Sequence, residues 1–278
     1  MSGRNYIDLK RLWELAGGWE HIEGRQSILA AIGAFQRRFQ VILIRRGLQA
    51  RAFQDVLSAA ESRNIPYRFV ERHELDALTH GASHGGLVAV CSTKPRLNIE
   101  QLDHLLASLG VSPLLLVLEG IDDARNLGFT MRSAEAFGAH AILIKRHVWD
   151  FDVVEVGRPS SGAYERLPLV QIDDLGPVVG LFRKRQIRLI GCLGGAKRTM
   201  YEVSLESGVA LAIGGEKRGL SGAMRDVCDG FVRIPMWPGS ASSLSLSHAA
   251  AVVLAEACRQ RQSKRLERDL GENRMRAE

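Results

Sequence analysis

The 278-residue sequence lacks several patterns that would each define a class of protein. It contains no run of about 18 apolar residues, which argues against a membrane-spanning helix. Residues 1–20 carry scattered charges and no apolar run before a small-residue cleavage site, so we expect no secretory signal. These absences favour a cytoplasmic protein.

The four cysteines are far apart, and no C-x-x-C pair occurs. A zinc site or a disulfide framework therefore has no local support. We expect each cysteine to act as a small buried apolar side chain in a reducing compartment. No histidine has a metal-like neighbour either, and we expect no metal. His84 and His248 are assigned local hydrogen-bonding roles.

Two nucleotide-binding patterns are also missing. The glycine-rich stretch 213–221 is neither G-x-G-x-x-G nor a P-loop, and the stretch 194–199 fails the P-loop pattern as well. A cradle for nucleotide phosphates is a poor interpretation of both. The sequence contains no internal repeats.

The chain does carry an excess of positive charge. Its 37 basic and 31 acidic residues give a net charge of +6 and a pI near 9.4, which favours a polyanionic partner. Five arginines crowd the first fifth of the chain, namely Arg37, Arg38, Arg45, Arg46 and Arg51. Guanidinium groups suit phosphate because their donors can act in pairs. A solvated face is the alternative interpretation.

Residues 22–93 alternate helical and strand patterns, which predicts a small layered α/β unit. The predicted helices are 25–35 and 52–63, and the predicted strands are 41–44, 67–70 and 87–91. We place a first domain at 20–95. Residues 96–112 have polar ends around one short amphipathic helix and are the best linker candidate.

The pattern after residue 112 is that of a parallel sheet. Residues 114–118 are continuously apolar, as expected for a strand buried on both faces. Further predicted elements are helices at about 127–137 and 246–259 and strands at 141–144, 187–190, 209–213 and 231–234. The second domain is placed at 113–262. We expect the charged tail at 263–278 to be frayed helix or disordered.

Three polar loops follow strands of this second domain. The loop at 119–132 leaves the carboxyl end of a buried strand, where ligands of open α/β sheets bind. Its Asn126 lies where a helix N-cap is expected, and its Arg132 lies inside the helix, where it needs a charged partner or a polar rim. The loop at 213–221 has glycines that allow close backbone approach. The loop at 234–247 has two prolines and several serines that can cap the last helix.

In this order and spacing, the three loops resemble the three motifs of the SpoU/TrmH branch of the SPOUT methyltransferases. The matching residues are Asn126, Leu127, Gly128 and Arg132 in the first motif, Gly214, Glu216 and Gly219 in the second, and Ile234, Pro235, Met236, Ser243 and Leu244 in the third. Ser245 stands where the family has asparagine. The resemblance covers about residues 112–262. Residues 160–168 resemble another family stretch, and the front unit, with its stretch 81–86, more loosely resembles the family's substrate-binding domain.

The resemblance implies an α/β fold with a C-terminal SPOUT trefoil-knot domain and a smaller N-terminal α/β domain like ribosomal protein L30e. Knots are otherwise rare in proteins. It further implies S-adenosyl-L-methionine as the cofactor and a homodimer formed through the C-terminal domain. The implied reaction is methylation of a ribose 2′-hydroxyl in RNA. Ribosomal RNA is the favoured substrate and transfer RNA the alternative, and a self-protecting resistance methyltransferase is a variant of the same class.

Roles for individual residues follow from the same resemblance. The implied cofactor contacts are Gly214, Ile234 and Leu244, and the implied catalytic residues are Asn126, Arg132, Glu216, Ser243 and Ser245. The family's proposed activator of the hydroxyl is Arg132. Because a guanidinium normally stays protonated, we favour stabilisation of the developing oxyanion over proton abstraction.

Serine at position 245 has a shorter reach than asparagine and no amide donor. Whatever the asparagine positions in the family must here be met by Ser245, Ser247 or water. This departure supports one alternative from another class of protein, a catalytically silent RNA-binding or assembly protein.

Overall fold

The computed structural model describes residues 18–79, 84–145, 151–239 and 243–275. The chain forms two compact units that divide between Pro95 and Arg96. Parts of two stretches singled out in the sequence, residues 81–83 and 240–242, lie outside the described residues.

The first unit contains a four-stranded mixed sheet. Its elements are β1 (Trp19–Glu23), α1 (Arg25–Ala34), β2 (Phe39–Arg45), α2 (Gln54–Ser62), β3 (Tyr67–Val70), α3 (Arg72–Asp76) and β4 (Leu87–Ser92). The strand order is β1-β4-β2-β3. Strand β4 runs antiparallel to β1 and β2, whereas β2 and β3 are parallel. The apolar residues of the two central strands are buried, as the predicted α/β unit requires.

Arg37 does not belong to a solvent-facing arginine cluster. Its side chain is buried, and it donates to the carboxylate of Glu20 and to the carbonyl oxygen of Ser92 at 2.7 Å. A buried guanidinium is tolerated only when its donors are satisfied in this way. Arg37 therefore braces β1 and β4, whereas Arg38 and Arg51 are exposed as the sequence predicts.

The second unit contains a six-stranded parallel sheet. Its elements are α4 (Ile99–Ser108), β5 (Leu114–Glu119), α5 (Ala124–Ala136), β6 (Ala141–Lys145), α6 (Val153–Ser160), α7 (Ala163–Arg166), β7 (Leu169–Ile172), α8 (Leu175–Lys184), β8 (Arg188–Cys192), β9 (Val209–Gly214), α9 (Gly222–Val227), β10 (Gly230–Val232) and α10 (Leu246–Met275). The strand order is β10-β8-β9-β5-β6-β7. The α/β fold class predicted for this half is confirmed.

The uninterrupted apolar run of β5 is explained by two separate cores, one on each face of the sheet. Leu114, Leu116 and Leu118 face a core that includes residues of α5 and α10. The alternate residues, Leu115 and Val117, face a second core that includes residues of α4 and α8. Successive side chains of a strand point to opposite faces, so a strand covered on both sides has no polar position.

The segment 96–112, favoured as a linker in the sequence, belongs to the second unit. Its helix α4 buries Leu102 and Leu106 against the sheet. Asn98 caps this helix by accepting the backbone N–H of Gln101 at 2.8 Å, and the Gln101 side chain accepts from Asn98 in return. The amphipathic stretch is therefore a packed layer of the fold, and the division between the units falls before it.

The last helix is longer than the apolar pattern predicts. The stripe of small and apolar residues ends near residue 259, but α10 continues to Met275. Arg261 ties the helix to the sheet, because its guanidinium donates to the carbonyl oxygens of Ser112, Pro113, Leu205 and Ser207 at 2.5–2.9 Å. Residues beyond the stripe are strong helix formers, which continue a helix once its first part is anchored.

Candidate active site

The three loops identified in the sequence follow β5, β9 and β10. Strands β5 and β9 are paired along their whole length, so the first two loops leave the sheet side by side. All strands of this sheet are parallel, and their carboxyl ends therefore share one edge. Side-chain hydrogen bonds connect the loops at this edge.

Asn126 links the second and third loops to the first. Its Nδ2 donates to Oε1 of Glu216 at 3.0 Å, and its Oδ1 accepts from the hydroxyl of Ser247 at 3.1 Å. The expectation that Asn126 is an N-cap is wrong. Asp123 caps α5 and accepts the backbone N–H of Asn126 at 2.9 Å. Capping by Asp123 leaves both ends of the Asn126 amide available to hold the loops together.

Glu216 connects the same site to the start of the last helix. The oxygen that accepts from Asn126 also accepts the backbone N–H of Leu246 at 3.3 Å. The first N–H groups of a helix have no partner within the helix, and a carboxylate there is favourable. One carboxylate oxygen therefore orients both α5 and the N-terminus of α10.

Ser245 lies immediately before α10 and accepts the backbone N–H of His248 at 3.4 Å. Its hydroxyl is also 3.0 Å from the hydroxyl of Ser247 and 2.6 Å from Nδ1 of His248. Ser247 in turn bonds to Asn126, so the short Ser245 side chain reaches the site through a second serine. Ser243 is exposed and makes no hydrogen bond to this network among the described residues.

Arg132 is not part of the hydrogen-bonded network. It lies six residues beyond Asn126 on α5, a rotation of roughly 120° around the helix. Its side chain is exposed and forms no hydrogen bond or ion pair with the residues that the structure describes. Phe129, one turn earlier, is 49% exposed. The guanidinium of Arg132 is therefore solvent-exposed and unpaired among the described residues.

Gly128 of the first motif is required for packing. A Cβ atom at this position would lie 2.5 Å from Cγ of Pro159 and 2.5 Å from the carbonyl oxygen of Val156. Contacts this short do not occur between well-packed atoms, so only glycine lets α5 approach α6 so closely. The Asn-Leu-Gly sequence therefore combines a polar site residue, a buried leucine and a close helix contact.

Glu119 forms a second polar cluster at the end of β5, which the sequence reasoning missed. The buried carboxylate accepts the backbone N–H and the hydroxyl of Ser221 at 2.8 and 2.9 Å, and Nζ of Lys145 at 3.2 Å. Burial alone would raise the pKa of Glu119, but these hydrogen bonds outweigh it and hold the pKa below its usual value. The cluster anchors the loop that follows β9, since Ser221 ends that loop.

The glycines of the second loop are needed for backbone packing. A Cβ on Gly215 would lie 1.8 Å from the carbonyl oxygen of Gly120, and one on Gly214 would lie 2.1 Å from the carbonyl carbon of Gly219. Gly120 itself has a φ of 72°, which favours glycine. The first two loops therefore pack backbone against backbone, which brings Glu216 within reach of Asn126.

A fourth loop leaves the same edge of the sheet, and its sequence excludes a P-loop without indicating another role. It follows β8, which lies between β9 and β10, and Leu193 at its start donates to the carbonyl oxygen of Val232 at 2.9 Å. A cleft of about 900 Å³ is lined by Leu193, Gly194 and Gly195. A Cβ on either glycine would meet no atom within 4 Å. The sequence feature that could have indicated a binding loop here is the pair of adjacent glycines shortly after an interior strand.

The predicted cofactor residues lie at or beyond the ends of β9 and β10, at the same edge of the sheet, and are not among the residues that line this cleft. Gly214 ends β9, and Ile234 follows β10 and packs against the core at half-burial. Leu244 is partly exposed shortly before α10. The backbone of Gly194 and Gly195 is accessible, and apolar Leu193 and Ile234 follow neighbouring strands. This combination suits a ligand with an aromatic base and a polar tail.

Among the described residues, no group of three or more histidine, cysteine or acidic side chains could hold a metal ion, and no helix meets the length and hydropathy of a membrane span. The four cysteines are free; Cys91 is buried and the others are half-buried. Burial raises the pKa of the Cys192 thiol to about 12 and that of the Cys228 thiol to about 11. Both thiols are protonated at neutral pH and are poor nucleophiles.

Two family descriptions match the chain in the order of its two units. Residues 21–97 match the family described as RNA 2′-O ribose methyltransferase substrate binding, and residues 113–255 match the SpoU rRNA Methylase family. The chain belongs to the SpoU rRNA methylase family. It is an RNA ribose 2′-O-methyltransferase that uses S-adenosylmethionine, so the family and cofactor predicted from the three motifs are confirmed.

The similar curated proteins include 23S rRNA (guanosine-2′-O-)-methyltransferase RlmB of Escherichia coli (strain K12). It is 32% identical over 242 residues, which cover 87% of this chain and 99% of that protein. RlmB of Photorhabdus laumondii subsp. laumondii is 34% identical over 244 residues, or 88% and 99% of the two chains. Both similarities extend over both units.

Solved structures of similar proteins agree with this family assignment. The SpoU methyltransferase AviRb from Streptomyces viridochromogenes, in complex with the cofactor AdoMet, superposes with a TM-score of 0.74 at 28% identity, covering 94% of this chain and 95% of that one. A structure described as RNA 2′-O ribose methyltransferase superposes with a TM-score of 0.70 at 29% identity, covering 88% and 89%.

Proposed function

We propose that this enzyme methylates the ribose 2′-hydroxyl of a guanosine in large-subunit ribosomal RNA. The RlmB relatives carry that specificity in their names and are covered over nearly their whole length. The observation that carries the proposal is the Asn126–Glu216–Ser247 network, which joins all three motif loops at one edge of the sheet. A site this connected supports an active enzyme over a silent RNA-binding protein.

The cofactor fits the residues at the carboxyl ends of β8, β9 and β10. Bound there, it would supply an electrophilic methyl group for transfer to the 2′-oxygen. Backbone groups of Gly214 and of the Leu193–Gly195 loop would hold its polar parts, and Ile234 and Leu244 would pack against its apolar surfaces. Close backbone approach at Gly194 and Gly195 is possible because no atom occupies their Cβ positions.

Arg132 acts on the attacking oxygen. A ribose hydroxyl is a weak nucleophile until its proton is leaving, and negative charge develops on the oxygen as it attacks. The exposed guanidinium of Arg132 has donors to spare for that oxygen and for a neighbouring phosphate. Because guanidinium stays protonated, it stabilises the negative charge in this proposal, and the hydroxyl proton passes to water while the demethylated cofactor leaves as a neutral thioether.

Asn126 and Glu216 set the position of the ribose relative to α5 and α10. Their mutual hydrogen bond fixes two loops before RNA arrives, which reduces the reorganisation needed at the reacting oxygen. Ser245 and Ser247 supply the link that the family's asparagine would make, and Ser243 is available to RNA at the entrance.

Further parts of the proposal follow from the family. We propose a homodimer through the C-terminal unit, a trefoil knot in that unit, and RNA binding by residues 20–95 with exposed arginines such as Arg38 and Arg51. The boundaries 113–262 and 263–278 for the catalytic domain and tail are proposed likewise. A ribosomal RNA substrate implies the cytoplasm. Transfer RNA is the alternative substrate.

The test is methyl transfer in vitro. The purified full-length chain is incubated with radiolabelled S-adenosylmethionine and unmodified transcripts of large-subunit ribosomal RNA or of transfer RNA, and the modified ribose is mapped. We expect label in one guanosine of the ribosomal transcript. Label only in transfer RNA would overturn the substrate assignment. Cofactor binding by calorimetry without label in either RNA would favour the silent binding protein.

A further inference from the structure

Trp237 is the most exposed large apolar side chain described in the molecule, with 85% of its surface accessible. It lies in the third motif loop between Pro235 and Pro238, and its neighbour Met236 is 45% exposed. Exposing an indole to water is unfavourable, and the large exposed apolar group is the informative exception in a soluble protein. The mechanism proposed above gives this side chain no role.

The position of Trp237 is restrained by the chain around it. Two prolines fix φ at their positions, and the strand-like backbone of Arg233 is bonded on both sides, to Arg198 and Met200 at 2.9 Å each. Trp237 is three residues from Ile234, a span of at most about 11 Å. The backbone of Trp237 therefore stays close to Ile234, which we propose contacts the cofactor.

The neighbouring surface is basic. Lys197 and Arg198 are exposed on the segment that pairs with Arg233, and together with Arg188 and Arg225 they line the same cleft as Gly194 and Gly195. Two acids also lie here. The Glu202 carboxylate is bonded to Thr199 at 2.6 and 2.9 Å and lies near Arg198 and Arg233, and Asp229 accepts the backbone N–H of Leu189 at 2.7 Å. The balance remains positive, which complements phosphate.

We propose that Trp237 is a stacking platform for a base of the RNA substrate at or next to the methylated nucleotide, with Lys197 and Arg198 holding adjacent phosphates. This inference rests on the proposed RNA methyltransferase function. RNA is recognised in single-stranded or splayed segments by stacking of bases on aromatic side chains, and every base has a face that can stack. Trp237 offers such a face on a backbone whose freedom is reduced by Pro235 and Pro238.

Substitution with a matched control tests the energetic contribution. We expect Trp237→Ala to lower kcat/KM for an unmodified large-subunit ribosomal transcript by about 10- to 100-fold, the range for loss of one stacked base. Trp237→Phe keeps an aromatic face and should stay within about threefold. The control Tyr201→Ala removes another aromatic ring that is 61% exposed and should change little. Cofactor affinity and melting temperature should be unchanged in all three variants. An alanine variant at wild-type kcat/KM overturns the proposal.

A fluorescence experiment separates stacking from charge and from catalysis. Emission of the wild type is titrated with an adenosine hexaribonucleotide and with an abasic hexamer of the same charge. Quenching by the first alone, lost in Trp237→Phe, is expected. Equal quenching by both would assign the effect to phosphate and overturn stacking. Quenching in a protein that methylates no RNA would leave this inference standing while the proposed function fails.

Sedimentation of Trp237→Ala tests whether a second copy of the chain, and not RNA, contacts this surface. If the variant changes the oligomeric state, Trp237 belongs to an interface between copies of the chain, and the stacking proposal is overturned. An unchanged sedimentation coefficient together with weakened RNA binding supports it.

Discussion

Two glutamates lie at the ends of neighbouring parallel strands and do different work. Glu119 ends β5 and is buried beneath Ser221 and Lys145. Glu216 follows β9 and holds Asn126 and the start of α10 near the surface. The hydrogen bonds described for Glu119 join β5 and β6 to the end of the loop after β9, whereas those of Glu216 join Asn126, a proposed catalytic residue, to the start of α10. At the same edge of the sheet, Glu119 thus stabilises the loops, whereas Glu216 positions residues of the proposed active site.

The comparison separates residues whose loss should lower turnover from residues whose loss should lower stability. Arg132 stands at one extreme because it contacts no other described residue through hydrogen bonds. Glu119 stands at the other, and Glu216 lies between them. Variants of these residues can therefore be ordered from those expected to lower turnover to those expected to lower stability.

Arg132→Ala should have the largest effect. Loss of a strong electrostatic donor to a developing oxyanion costs about 3–4 kcal/mol, or roughly a hundredfold to a thousandfold in turnover. Cofactor affinity and melting temperature should be unchanged, since the exposed side chain braces nothing described. Arg132→Lys keeps the charge without the planar fork and should rescue little. Single-turnover rate, cofactor affinity and melting temperature on the same preparations measure this. Arg125→Ala, on the exposed face of the same helix, is the control.

A stable Arg132→Ala protein that binds cofactor and methylates at the wild-type rate would refute the catalytic role. Earlier melting with loss of cofactor binding would instead show that Arg132 supports the fold.

Glu216→Ala should lower turnover by about 10- to 100-fold, because it releases Asn126 and the start of α10 and small misplacements at a reacting centre are costly. Glu216→Gln keeps an acceptor oxygen in the same place and should recover most of the rate. Asp122→Ala is the matched control, since it removes only an exposed ion pair with Lys217 nearby. If glutamine is as slow as alanine, the charge of Glu216 matters beyond positioning.

Glu119→Gln should mainly lower stability, by about 2 kcal/mol, because hydrogen bonds to a charged acceptor are replaced by weaker ones. The pKa of Glu119 is lowered in the folded protein, so its contribution to stability is full above the pKa of the unfolded chain and is lost as pH falls through the folded value. The difference in unfolding free energy between wild type and variant should therefore shrink below about pH 4. Denaturant unfolding at pH 7 and at pH 3.5 measures it. A constant difference would mean that the carboxylate charge contributes nothing.

The sequence predicts those helices and strands whose apolar residues follow a clear pattern. The apolar run 114–118 predicts a strand that is buried on both faces of the sheet, and the three motif loops identify the family. Strand β7 is not predicted because Gln171 interrupts its short apolar run, and α8 is not predicted because Gly176, Pro177 and Gly180 obscure its helical pattern. Contacts across the site could not be read from local patterns. Asn126 and Glu216 are 90 residues apart, and Glu119 looks like the polar end of an apolar strand.

Ser245→Asn, which restores the family residue, should have the smallest effect. Asparagine is as good an N-cap as serine, so α10 should keep its stability within a few tenths of a kcal/mol. Ser247 already supplies the hydrogen bond to Asn126, and the longer amide adds a donor to a site whose loops are fixed by Glu216. We therefore expect turnover within about threefold of the wild type, measured in single turnover. A rise of an order of magnitude would show that serine at this position limits the enzyme, and that the link through Ser247 is a poor substitute for the asparagine.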